Sequence, residues 1–130
     1  MGDTAHKILI VDDDPLTLKL LERHLAQGGY QSVSAKNGRE AVALAQQEKP
    51  DVIVMDVMMP QINGLEALGQ LKSSEATKAI PVLIISSNHD PSLKQESENA
   101  GAAALLAKPV GAGLLLETVR RLLSGAPAGA

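Results

Sequence analysis

The chain has 130 residues, no cysteine and a formal net charge of -3. That length suits one domain with a substantial core, and the lack of cysteine excludes a disulfide framework, a thiolate metal site and a cysteine nucleophile. The mild acidity gives no basis for direct nucleic-acid binding, and no apolar run reaches the ~18 residues of a membrane span.

Met1-Gly2-Asp3-Thr4-Ala5-His6-Lys7 lacks the apolar segment of a secretory signal and fits a myristoylation motif poorly, so a cytoplasmic location without membrane attachment is expected. Ile8-Leu9-Ile10-Val11 is a short apolar run of buried-strand character. Asp12-Asp13-Asp14-Pro15 ends it, with Asp14 suited to an N-cap and Pro15 to the first helical position. Leu18, Leu21 and Leu25 mark one face of the helix that follows, and Gly28-Gly29 closes it. Residues 30–35 predict a second strand with Val33 inward, and Asn37-Gly38 turns the chain into a helix bearing Ala41, Leu44 and Ala45 before Pro50.

Residues 52–55 form a third buried strand, with Asp56 directly after it where the strand should surface. Pro60 and Asn63-Gly64 interrupt regular structure before a helix carrying Leu65, Leu68 and Leu71. Pro81-Val82-Leu83-Ile84-Ile85 predicts the fourth strand, running into Ser86-Ser87-Asn88. Asp90-Pro91 starts a helix over residues 92–99 that is almost wholly polar. Residues 103–107 give a short fifth strand ended by Lys108-Pro109, and Leu115, Val119 and Leu122 mark a last helix. Residues 124–130 are small and flexible in composition, either a chain end or the start of a linker.

Five strands alternating with five helices predict a three-layer α/β domain, the (βα)5 flavodoxin-like fold, around a parallel five-stranded sheet. Right-handed crossovers and one reversal of strand order give the arrangement 2-1-3-4-5, which sets strands one and three side by side at the switch point. Asp12, Asp13 and Asp56 then converge on one crevice.

Three carboxylates at close range cannot all ionise without a compensating cation, and oxygen ligands of this kind suit Mg²⁺. A carboxylate beside such a cation can act as a nucleophile toward a phosphoryl group. From the next strand ends, Ser86 offers a hydroxyl and Lys108 a point charge to phosphoryl oxygens. Each residue alone has a plainer reading: Asp56 as a cap or loop carboxylate, Ser86 as a turn residue, Lys108 as solvated surface. His6, His24 and His89 show no ligand spacing and read as solvated. Five chemically apt groups at the ends of four core strands make the combined pattern far more specific.

Four motifs carry a family resemblance: Ile8-Leu9-Ile10-Val11-Asp12-Asp13-Asp14-Pro15, Met55-Asp56-Val57-Met58-Met59-Pro60 with Gly64, Pro81-Val82-Leu83-Ile84-Ile85-Ser86, and Lys108-Pro109. With them the chain resembles the receiver domain of bacterial two-component response regulators, of the chemotaxis-receiver type, over residues 7–123. The resemblance implies a phosphoprotein in a phosphorelay, with Asp56 as the phosphoacceptor. It further implies Mg²⁺ bound by Asp13 directly, by Asp12 mainly through water, by Asp56, and by the backbone carbonyl of Met58. Ser86 would hydrogen-bond the installed phosphoryl group and Lys108 would pair with it. The donor would be the phosphohistidine of a cognate histidine kinase or histidine phosphotransfer protein. The domain would promote its own phosphorylation and dephosphorylation without being a turnover enzyme, and would signal to a downstream protein target or an output domain removed from this chain.

Two departures from the usual receiver pattern stand out, at the aromatic position and along the water path. The residue three before the lysine, commonly aromatic, is Leu105, and the chain holds one Tyr, Tyr30, with no Phe or Trp. Met58 and Asn88 stand where side chains flank the path of an attacking water. The alternative within the family is a degenerate receiver that docks without phosphorylation. A haloacid-dehalogenase-type phosphatase would need a second aspartate two residues after the nucleophile, where this chain has Met58.

Overall fold

In the computed structural model, residues 6–57, 64–87 and 91–124 are described. Strands and helices alternate from the start: β1 (Lys7–Val11), α1 (Pro15–Gln27), β2 (Gln31–Ala35), α2 (Gly38–Glu48) and β3 (Val52–Asp56). They continue as α3 (Gly64–Ser73), β4 (Val82–Ser86), α4 (Pro91–Ala100), β5 (Ala104–Ala107) and α5 (Ala112–Ser124). The strands pair in parallel in the order β2-β1-β3-β4-β5, as the alternating pattern predicts.

Side chains on successive strand residues point to opposite faces, so the apolar strands feed two separate cores. Leu9, Ile53, Met55, Val82 and Ile84 face α2, α3 and α4, meeting Ala41, Ala45, Leu68, Leu71 and Leu93. Ile8, Ile10, Val52, Val54, Leu83 and Ile85 face α1 and α5, meeting Leu18, Leu21, Leu25, Leu115, Val119 and Leu122. Burial of β1, β3 and β4 on both faces explains their unbroken Val, Ile, Leu and Met runs.

Local chemistry fixes the helix starts. Asp14 is extended and caps α1, with its side chain accepting from the Leu16 amide and Pro15 occupying the first turn. Asn37 Oδ1 accepts from the Glu40 amide at 2.8 Å, while Glu40 Oε1 accepts from the Lys36 amide at 2.9 Å. The first bond satisfies a first-turn amide that the helix itself cannot, and the second ties the helix to the residue before its cap.

Three strands begin one residue later than the pattern predicts, β4 among them, at Val82 instead of Pro81, which has no amide to give to the ladder. The Tyr30 amide bonds back to the Leu25 carbonyl, so the β2 ladder opens at Gln31. Ala103 donates to the Val82 carbonyl at 2.8 Å, and the β5 ladder proper starts at Ala104. Asp56 differs in a more consequential way: it belongs to β3 and stays buried instead of surfacing beyond it. Among the described residues no helix is long and apolar enough to cross a membrane.

Candidate functional site

The register of the sheet gathers the candidate residues. Val11 aligns with Met55, so Asp12 and Asp56 leave adjacent strands side by side. Asp56 aligns with Ile85 and Ser86 with Ala107, which sets Ser86 and Lys108 at the next two positions along the same rim. The Lys108 amide donates to the Ser86 carbonyl at 2.9 Å, continuing the ladder past the last strand residue. This is the carboxyl edge of the sheet at its switch point, where open α/β folds place ligands.

One carboxylate oxygen from each of Asp12, Asp13 and Asp56 lies within 4.8 Å of the others. Asp12 is fully buried, Asp56 is 4% exposed, and Asp13 is exposed. Ser86 is buried at the end of β4. Lys108 reaches over the cluster: Nζ lies 2.7 Å from Asp12 Oδ2 and donates to Asp56 Oδ2 at 2.9 Å. The approach to Asp12 is an ion pair without the angle of a directed hydrogen bond, so Oδ2 of this buried carboxylate has no hydrogen-bond donor of its own.

Electrostatics follow from that geometry. Burial draws the Lys108 ammonium pKa down, but contact with the Asp12 and Asp56 carboxylates outweighs it and the net shift is upward. The lysine is therefore a fixed positive charge at neutral pH. Three carboxylates held within 4.8 Å of one another repel, and among the described residues Lys108 is the ammonium brought to them. A divalent cation with a preference for hard oxygen ligands supplies further positive charge and a partner for Asp12 Oδ2. The donor set therefore fits Mg²⁺ better than a soft transition metal.

Asp12, Asp13, Asp56, Ser86 and Lys108, singled out from the sequence, all meet at this rim. Met58 and Asn88 lie outside the described residues, as does His89. His6 is exposed and its ring sits 6.3 Å from that of Tyr30. His24 is not simply solvated: it is half-buried in the last turns of α1, with Nδ1 shielded and unpaired. Two features went unread in the sequence. Lys108 bridges Asp12 as well as Asp56, and the Asp14 amide donates to Asp12 Oδ1 at 2.9 Å. The second had a visible signal, since an aspartate two residues before an extended cap residue commonly accepts from that amide.

Comparison with known proteins agrees with this geometry. The response regulator receiver domain matches residues 8–120. Protein PilH of Pseudomonas aeruginosa is 43% identical over 119 residues, covering 92% of this chain and 98% of its own. The chemotaxis protein CheY4 of Vibrio cholerae superposes with a TM-score of 0.87 at 35% identity, covering 92% of this chain and all of its own. The receiver domain of a Pseudomonas aeruginosa sensor histidine kinase, solved with a magnesium ion in its active-site cleft, superposes with a TM-score of 0.86 at 26% identity. That match covers 93% of this chain and 99% of the other. The chain thus belongs to the response regulator receiver domain family of two-component signalling.

Proposed function

We propose that Asp56 accepts a phosphoryl group from a phosphohistidine on a histidine kinase or phosphotransfer protein, and that the added charge changes the contacts the domain makes. The observation that carries this reading is the buried Asp56 carboxylate, paired with Lys108 Nζ at 2.9 Å and flanked by Asp12 and Asp13. An oxygen of ionised Asp56 forms a bond to phosphorus while the phosphorus–nitrogen bond breaks, and the imidazole leaves with the bonding pair. Lys108 pairs with the Asp56 carboxylate before transfer and can turn to a phosphoryl oxygen afterwards. Ser86, buried at the end of β4 one strand over, would donate to another.

Asp12, Asp13 and Asp56, with the Met58 carbonyl, would hold Mg²⁺. When bound, the ion offsets negative charge on the phosphoryl oxygens. Asp13 is the exposed member of the trio and so the one free to turn its carboxylate toward an entering ion. Asp12 has one oxygen already committed to the Asp14 amide. Asp13→Asn is therefore expected to weaken Mg²⁺ binding more than Asp12→Asn. On this reading the domain is a phosphoacceptor that promotes its own phosphorylation and dephosphorylation, not a turnover enzyme.

The donor must cover the rim to reach Asp56, and an apolar surface waits there. A groove of about 280 Å³ beside the site is lined by Thr17, Leu20, Ser87, Lys108, Pro109 and Val110. On the far side of β5, a larger groove of about 480 Å³ runs between α4 and α5. We assign the first to the phosphodonor and the second, with Leu105 in its lining, to the downstream protein.

Acetyl phosphate with Mg²⁺ should add one acid-labile phosphoryl group, read by intact-mass spectrometry. Asp56→Asn should abolish the addition and Asp14→Asn should not. Normal labelling of Asp56→Asn would overturn the assignment.

A further inference from the structure

Asp12 faces the cleft with one oxygen only. Its Oδ1 accepts from the Asp14 amide at 2.9 Å, and Oδ2 is left toward Lys108 at 2.7 Å. The terminal torsion of an aspartate is soft, so packing alone leaves the plane of its carboxylate loosely set. The hydrogen bond from the Asp14 amide fixes that plane.

That amide is in turn held by α1. Asp14 is extended, with φ -96° and ψ 114°, and its side chain folds forward over the first turn. Oδ1 accepts from the Leu16 amide at 3.1 Å and Oδ2 from the Thr17 hydroxyl at 2.9 Å. The Asp14 carbonyl accepts from the Leu18 amide at 3.1 Å, and Leu18 is anchored in the core. Pro15 between them has a fixed φ and no amide to compete. A rigid path therefore runs from the buried face of α1 through Thr17 and Asp14 to the orientation of Asp12.

We infer that Asp14 and Thr17 are positioning residues for cation binding by Asp12 and Asp13, in addition to capping α1. This rests on the receiver reading above and deepens it. A cap that served stability alone would leave cation affinity untouched. A cap that orients Asp12 sets the affinity, because a carboxylate free to rotate must be ordered on binding at an entropic cost.

The test is Mg²⁺ titration of the full chain followed by amide NMR shifts, alongside the Mg²⁺ dependence of labelling by acetyl phosphate. Asp14→Ala is expected to raise the half-saturating Mg²⁺ concentration about fivefold, the size of effect typical for a lost N-cap. Labelling at saturating Mg²⁺ should fall much less. Thr17→Val, which leaves the Asp14 charge in place, should give a smaller rise of the same sign. Asp14→Ser restores the cap without the charge and should recover most of the wild-type affinity. Unchanged Mg²⁺ affinity in Asp14→Ala, with only a lower melting temperature, would overturn the inference. An equal loss in Asp14→Ala and Asp14→Ser would overturn it too, by assigning the effect to charge. Failure of the wild type to bind Mg²⁺ or take label would instead strike the receiver chemistry itself.

Discussion

Asp12 Oδ2 and Lys108 Nζ approach to 2.7 Å at the rim of the sheet without a directed hydrogen bond, while the same ammonium donates to Asp56 at 2.9 Å. One cation is thus shared between two buried carboxylates, and Asp12 Oδ2 has it only as an ion pair. Such an arrangement stabilises the resting fold but leaves the site avid for further positive charge.

Removal of that cation should expose the repulsion. Lys108→Met keeps much of the side-chain volume and is expected to cost roughly 1–3 kcal/mol in chelator. For a domain of this size that lowers the melting temperature by several degrees. Millimolar Mg²⁺ should recover part of the deficit, since it binds only the folded cluster. Thermal melts in chelator and in Mg²⁺ check this; equal deficits in both would contradict the shared-cation account.

The surface beside the site makes a separate prediction about the donor. Leu20 is 43% exposed and lines the groove formed with Pro109 and Val110, and Leu16, 75% exposed, lies one turn before it on α1. Single exposed leucines are ordinary, but two a helical turn apart, one of them lining a groove at a reaction rim, make an apolar strip suited to contact. Leu16→Asp should slow transfer from a phosphohistidine protein by roughly tenfold, the effect of losing one good apolar anchor. Labelling by acetyl phosphate, which needs no docking, should stay as in the wild type. Equal slowing with both donors would refute the docking assignment.

Much of this was legible in the residues. The apolar runs at β1, β3 and β4 announce strands buried on both faces, and Asp14-Pro15 announces the start of α1. Sheet order then brings Asp12, Asp56, Ser86 and Lys108 together without any view of side chains. Rotamers were not legible. Nothing in the spacing says that Lys108 spans two carboxylates, or that Asp56 is buried within β3. Leu44 and Val33 have the pattern of core residues yet are only half-buried, because β2 is an edge strand with α2 covering one side of it. Thr77 and Lys72 gave no signal, although Thr77 is buried and its hydroxyl donates to the Leu71 carbonyl at 2.6 Å.

Lys72 yields a prediction in pH. Its Nζ donates to the carbonyls of Lys78 and Ile80 at 3.1 and 2.7 Å, and its methylenes lie under Gly101, where an added Cβ would come within 3.0 Å of Cγ. Burial lowers its pKa below the ordinary 10.5. A lowered lysine pKa means that the unfolded chain binds more protons between the folded value and 10.5, so this residue's contribution to stability rises with pH across that window. Denaturant unfolding of wild type and Lys72→Met should show the difference moving in favour of the wild type as pH climbs toward 10.5. A difference that stays flat or moves the other way would exclude desolvation of Lys72 as the cause.

The readout of phosphorylation should travel through α4 and β5. Within α4 only Leu93 and Ser97 are buried, and Ser97 Oγ has no hydrogen-bond partner among the described residues. A helix that buries one leucine, with Ala100 half-buried beside it, and a hydroxyl without a hydrogen-bond partner among the described residues is inexpensive to move, which a two-state element requires. Leu105 is half-buried against the same core that holds Leu93 and Ile84, and it also lines the groove between α4 and α5. Phosphorylation adds about -1.5 to -2 charge at Asp56 and should draw Ser86 and Lys108 inward. Ser86 ends β4, which pairs directly with β5, so its movement opens space that Leu105 can enter by changing rotamer. Leucine carries no hydroxyl to trade between a buried and an exposed partner, and the shift should be smaller than in receivers with a tyrosine there. Amide NMR with and without beryllofluoride, a phosphoryl mimic, should show changes reaching Leu105, α4 and the outer face of α5. Leu105→Tyr should enlarge them, and Ser97→Ala should stabilise the resting state and reduce them. Changes confined to the surroundings of Asp56, with Leu105 and α4 silent, would show that this domain signals by another surface.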